Sequence, residues 1–121
     1  MEKNSPNINF AHISEFEFSE LLTLYNIDWI YEPTSFPLKW GSDGSIKMMF
    51  TPDFYLPEQN LYIEITTMNQ KLVTRKNKKL KLSKSLYPEA RFKIIYEFQY
   101  LELLQKYKGT HTLDFQKAIA S

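Results

Sequence analysis

Two neighbouring β-rich runs, each carrying one acid among apolar residues, constrain this chain most: Met49 to Pro57, with Asp53, and Leu61 to Thr67, with Glu64. Side chains alternate between the faces of a strand, so Leu61, Ile63 and Ile65 share one surface while Tyr62, Glu64 and Thr66 share the other. Pro52 has no N–H for a strand ladder, which places Asp53 where regular pairing breaks down. The ten residues between the two acids leave room for a short bend and a neighbouring strand. Two carboxylates converging at the end of a small sheet suit Mg²⁺, which takes oxygen ligands and usually only one or two protein carboxylates.

The flanking segments supply the rest of a small domain. Ala11 to Tyr25 has helical periodicity, with Phe18, Leu21, Leu22 and Tyr25 on one stripe. Continuing that stripe backwards reaches Ala11, Ser14 and Glu15, so Glu15 is a carboxylate on or beside the apolar face. Glu17 is a reserve candidate, because helical phase is loose near an N-terminus. Asn26 tolerates the left-handed backbone that ends many helices. Ile27 to Glu32 then reads as a strand, interrupted by Pro33 and Pro37. Asp43-Gly44 signals a hairpin turn, and Ile46 to Phe50 reads as a second strand delivering the chain to Asp53. Leu61 to Thr67 is the third strand. Asn69 to Leu86 contains neither proline nor glycine, and Pro88 follows it, so a helix is expected. Val73, Leu80 and Tyr87 mark its buried stripe, and Lys76 and Asn77 fall between them, which directs Lys76 inward. Arg91 to Glu97 is a fourth strand and Tyr100 to Tyr107 a closing helix, leaving 108–121 as a short helix or tail.

At 121 residues, with 43% hydrophobic and 16% aromatic content, a single folded domain is expected, its core spanning about residues 11–107. The chain has no cysteine, which excludes a disulfide scaffold and a thiolate zinc site and suits a reducing compartment. No apolar run approaches the roughly 20 residues that span a bilayer, and the N-terminus lacks the apolar segment of a signal peptide. A cytoplasmic protein without membrane attachment is the expectation.

The net charge of +1 conceals an asymmetry. Residues 1–64 hold ten acids and three bases, whereas residues 65–121 hold four acids and twelve bases. Between Glu64 and Glu89 there is no acid, yet Lys71, Arg75, Lys76, Lys78, Lys79, Lys81 and Lys84 all occur. Such a block can follow a phosphate backbone. A charge run by itself more often marks a solvated helix face, and only its position directly after the acidic pair favours nucleic acid.

Helix, three strands, helix and strand, with Glu15 on the first helix, Pro52-Asp53 before the bend and Glu64-Ile65-Thr66 in the third strand, together resemble the PD-(D/E)XK superfamily of nucleases. That resemblance spans about Ala11 to Tyr107. A strand reading Tyr31-Glu32-Pro33 after a helix acid is similar to the resolvase-like and transposase-endonuclease-like branches. The resemblance implies an α/β (α+β) fold with a restriction-endonuclease-like αβββαβ core, a small mixed sheet flanked by helices. It further implies a metal-dependent DNA endonuclease, with Mg²⁺ or Mn²⁺ held by Asp53, Glu64 and the carbonyl of Ile65. Glu15 would act through a metal-bound water or a second cation. Gln70, Lys71, Arg75, Lys78 and Lys79 would touch DNA, with RNA as a further possible substrate, and a homodimer is expected because cutting two strands needs two sites.

One position departs from the pattern. The superfamily usually has lysine two residues after the glutamate, and this chain has Thr66. Some members supply that lysine from the following helix, where Lys76 is the inward-directed candidate, with Lys79 and Lys71 behind it. If no lysine reaches the acids, the fold is a catalytically silent DNA- or protein-binding module. His12 and His111 have no partner at ligand spacing and suggest no zinc site. Trp29, Trp40 and the tyrosines read mainly as packing residues.

Overall fold

The computed structural model describes residues 8–66, 70–96, 99–100 and 102. Its elements run α1 (Ile13–Leu24), β1 (Ile30–Tyr31), β2 (Phe36–Trp40), β3 (Ile46–Phe50), β4 (Phe54–Leu56), β5 (Leu61–Thr66), α2 (Gln70–Leu86) and β6 (Phe92–Tyr96). Four strands form a mixed sheet in the order β1-β4-β5-β6, while β2 and β3 pair as a separate hairpin. The first two junctions of the mixed sheet are antiparallel and the last, β5 with β6, is parallel. A parallel junction needs a long crossover, and α2 provides it.

α1 forms where the apolar stripe predicts, with Phe18, Leu21, Leu22 and Tyr25 buried. Asn26 ends it in the left-handed region at φ +58, and Ile27 N–H closes the turn on Leu22 O at 2.9 Å. Beyond that turn, two sequence expectations need correction. Only Ile30–Tyr31 of the expected Ile27 to Glu32 strand is strand, and after the Glu32 N–H a φ of +45 turns the chain out of the sheet. More consequentially, Ile46–Phe50 is not the strand beside β5. It pairs with β2 instead, through a register that slips on both sides of Lys39. Pro37 lies inside β2 and cannot donate to a ladder, which fits a two-stranded hairpin better than a central position.

The strand beside β5 is β4, only three residues long and bracketed by Pro52 and Pro57. Asp53 therefore stands immediately before β4, not at the end of the strand that precedes it. Within the mixed sheet and its helices the order is still helix, three strands, helix, strand, with the β2–β3 hairpin inserted after the first strand. Asn69, Thr67 and Glu97, named at the edges of predicted elements, lie outside the described residues, as does most of the expected closing helix. Tyr100 and Glu102 are helical.

Two cores pack against the sheet. On the α1 side Phe18, Leu22, Trp29, Phe54, Leu56, Ile63 and Ile95 interlock. On the α2 side Phe36, Leu38 and Phe50 of the hairpin meet Leu80 and Phe92. Tyr87 donates its hydroxyl to Pro37 O at 2.7 Å and ties the end of α2 to the hairpin. Phe54 is wholly buried, with the rings of Phe18, Trp29 and Tyr31 centred 5.5, 5.6 and 5.7 Å away. Phe54→Ala is thus expected to cost about 3–5 kcal/mol. Urea unfolding checks this value, and a loss below about 1 kcal/mol would contradict the packing described. Among the described residues no helix is long and apolar enough to cross a membrane.

Candidate active site

The antiparallel register of β4 and β5 sets Phe54 opposite Ile63, and continuing it one step sets Asp53 opposite Glu64. Cross-strand partners share a face, so both carboxylates lie on the side covered by α2. They are buried, at 5% and 6% exposure. The two strands are also clasped through these acids. Asp53 N–H donates to Glu64 Oε1 at 3.1 Å, and Ile65 N–H donates to Asp53 Oδ2 at 2.8 Å. A carboxylate is well suited to a position where Pro52 interrupts the ladder, because its oxygen accepts a backbone proton that a paired carbonyl would otherwise take.

Lys76 completes the cluster from α2. Its Nζ lies 2.7 Å from Glu64 Oε2 and donates to Ile65 O at 3.0 Å. The helical phase that directs Lys76 inward thus brings an ammonium to the acidic residue and to the carbonyl named from the sequence. Thr66, on the same face of β5, is 1% exposed, and its Oγ1 has no hydrogen-bond partner.

Glu15 is close but differently engaged. At 3% exposure it accepts the Tyr31 hydroxyl at 2.6 Å and Ala11 N–H at 3.3 Å. Burial and then the Glu15 hydrogen bond hold the Tyr31 phenol well above its ordinary value, so it serves as a donor. The Glu15 charge is felt at Asp53 and Glu64, which places it beside the pair rather than bonded into it. Glu17, the reserve candidate, accepts the Tyr100 hydroxyl at 2.7 Å and acts as a structural tie.

Glu32 joins the site without a signal in the sequence. Its N–H donates to Asp53 O at 2.9 Å, and burial followed by the charge of Glu15 raises its carboxyl above the usual range. Continuing the β1–β4 register by one step sets Glu32 opposite Asp53, a pairing that leaves no mark in residue pattern. Of the expected nucleic-acid contacts, Arg75 and Lys78 are exposed and Lys79 is half-buried on α2, where Lys81 and Lys84 are exposed as well. Arg75, Lys78 and Lys81, spaced by three, form a solvent-facing ridge. The side chains of Gln70 and Lys71 lie outside the described set.

The electrostatics of the pair are those of two buried acids with one base. Burial, then the charges of Glu64 and Glu15, push Asp53 up to about 8, against the opposing Ile65 N–H and Lys76. Glu64 is raised too, chiefly by burial, with Lys76 opposing. An unfolded Asp titrates near 4. Between about 4 and about 8 the folded chain therefore binds more protons than the unfolded one, so stability is full at the acid end and declines as pH rises. Asp53→Asn is expected to flatten that decline and to exceed wild type by about 2 kcal/mol at pH near 8 in EDTA. Urea midpoints from acid to weakly alkaline pH test it, and parallel slopes for the two proteins would contradict it.

Oxygen atoms from Asp53, Glu64 and the Ile65 carbonyl form a hard, oxygen-only donor set, and the Lys76 ammonium marks a point where a cation is stable. The set fits Mg²⁺ or Mn²⁺. Among the described residues no three His, Cys, Asp or Glu side chains gather to chelate an ion. Two carboxylates, a carbonyl and water are an ordinary complement for Mg²⁺, which dehydrates reluctantly. No protein-family model, curated protein or solved structure matches the chain.

Proposed function

We propose that this protein is a metal-dependent endonuclease of the restriction-endonuclease-like type, hydrolysing phosphodiester bonds in DNA. The observation that carries this reading is the convergence of Asp53, Glu64, the Ile65 carbonyl and Lys76 at one end of the β4–β5 pair. Helix, three strands, helix and strand around one mixed sheet support it, as does the exposed basic ridge on α2, the helix that carries Lys76. Lys76, which reaches Glu64 and the Ile65 carbonyl from the next helix, would stand in for the lysine expected two residues after the glutamate.

Asp53, Glu64 and the Ile65 carbonyl would hold Mg²⁺ or Mn²⁺. When bound, the ion supplies Lewis acidity toward a phosphoryl oxygen and lowers the pKa of a coordinated water. The clasp between Asp53 and Glu64 fixes their carboxylates through backbone donors, so the donor atoms are positioned before any ligand arrives. Lys76 presents a positive charge where negative charge accumulates on the phosphoryl group during hydrolysis. Water adds to phosphorus, the bond to the leaving sugar oxygen breaks, and that oxygen takes a proton. The products are a terminal phosphate, on the 5′ side by the resemblance, and a hydroxyl. Arg75, Lys78 and Lys81 would follow the backbone on either side of the cut. A homodimer would bring two such sites to the two strands.

The test is incubation of the purified chain with supercoiled, linear, branched and single-stranded DNA, and with RNA, in Mg²⁺, Mn²⁺ or EDTA. Cleavage of DNA that requires the metal is expected. A folded protein that binds DNA in a salt-dependent way and cuts none of these substrates would overturn the catalytic reading and leave a binding module, with Thr66 as the residue that explains it.

A further inference from the structure

The two oxygens best placed to hold a metal already hold a cation, and that cation belongs to the chain. Lys76 Nζ sits 2.7 Å from Glu64 Oε2 and 3.0 Å from Ile65 O, distances at which the ammonium occupies the space directly in front of both acceptors. A divalent ion bonded to those atoms at about 2 Å would stand within a few ångströms of the ammonium. Two positive charges so close repel strongly, and in a partly dry site water screens them little. The Lys76 side chain is 20% exposed and that of Glu64 8%, so neither charge is well solvated.

We propose that Lys76 and the divalent metal are alternative occupants of one cation position, so that metal entry releases the ammonium from Glu64 and Ile65 toward the substrate phosphate. The proposal rests on the metal-site reading above and adds an order of events to it. Without metal, Lys76 neutralises one of two facing buried carboxylates and keeps the β4–β5 clasp intact. With metal, the same lysine is freed, and only then is it available to a phosphodiester. A lysine placed on β5 itself would have its root fixed beside Glu64. Lys76 instead reaches the site from α2 on a flexible four-carbon stem, and its neighbour Arg75 is exposed. Withdrawal from Glu64 therefore needs rotation about side-chain bonds, with no backbone change.

Two measurements on the full chain test this at alkaline pH. The first is reductive methylation read by mass spectrometry at each lysine, with and without Mg²⁺. Reactivity at Lys76 is expected to rise several-fold with Mg²⁺ relative to exposed Lys78. The second is Mg²⁺ titration calorimetry of wild type and Lys76→Met. A resident that fills the position about nine-tenths of the time weakens apparent metal affinity about tenfold, so Lys76→Met should bind roughly tenfold tighter. Unchanged Lys76 reactivity in a wild type that binds Mg²⁺, or a Lys76→Met affinity no higher than wild type, would overturn the exchange while leaving the metal site standing. If neither protein binds Mg²⁺, the metal-site reading fails and takes the exchange with it. Should Lys76→Met fail to fold, the labelling of wild type still decides.

Discussion

Glu64→Gln is expected to reduce metal-dependent DNA cleavage by about 10³-fold or more, while the protein remains folded. The amide is nearly isosteric with the carboxylate and can still accept Asp53 N–H, the 3.1 Å bond that clasps β4 to β5. It cannot supply the negative charge that pairs with a divalent cation, and it faces Lys76 with a dipole where a full charge stood 2.7 Å away. Losing a single preorganised charge-stabilising group costs about 10²–10³ in rate in other enzymes, and on the proposed reading Glu64 would also help to hold the metal. Single-turnover cleavage, with circular dichroism to confirm folding, measures the effect. Activity within about tenfold of wild type would remove Glu64 from the site.

Lys76→Met is expected to lower cleavage by about 10²–10³-fold with little change in DNA affinity. Methionine fills much of the volume of the lysine stem, so the α2 side of the sheet stays packed. What disappears is the ammonium that reaches Glu64 and the Ile65 carbonyl, the only part of α2 bonded to the acidic pair among the described contacts. Affinity for DNA should persist because the outward ridge of Arg75, Lys78 and Lys81 is untouched and phosphate contacts supply most non-specific binding. Filter binding and cleavage on the same preparations separate the two quantities. A parallel loss of binding and cleavage would instead make Lys76 one more contact to the backbone.

The elements with strong local periodicity were legible in the sequence. α1, β5, α2 and β6 appear where their apolar spacing predicts, and Asn26 ends α1 in the left-handed conformation that asparagine tolerates. The inward placement of Lys76 was legible for the same reason, since helical phase fixes direction as well as position. The short strands were not. β4 has three residues between two prolines, too few for alternation to register, and β2 contains a proline that argues against a strand. Local pattern therefore places Asp53 at the end of one strand, whereas it stands immediately before the next.

Its opposition to Glu64 comes from a register that only the folded pairing defines. The hydrogen bond from Tyr31 to Glu15 joins residues sixteen apart, and Glu32 meets Asp53 through the β1–β4 pairing, which residue type does not announce. The residues of the cluster could be read one element at a time, whereas the contacts that join them needed the fold.

Anomalous diffraction from a crystal grown in Mn²⁺ tests the central claim most directly. A peak is expected about 2 Å from oxygen atoms of Asp53, Glu64 and the Ile65 carbonyl, with Lys76 Nζ moved off Glu64. A Mn²⁺-saturated crystal with no peak among these atoms would contradict it, because the acids would then be a structural clasp neutralised by Lys76 and by protonation of Asp53.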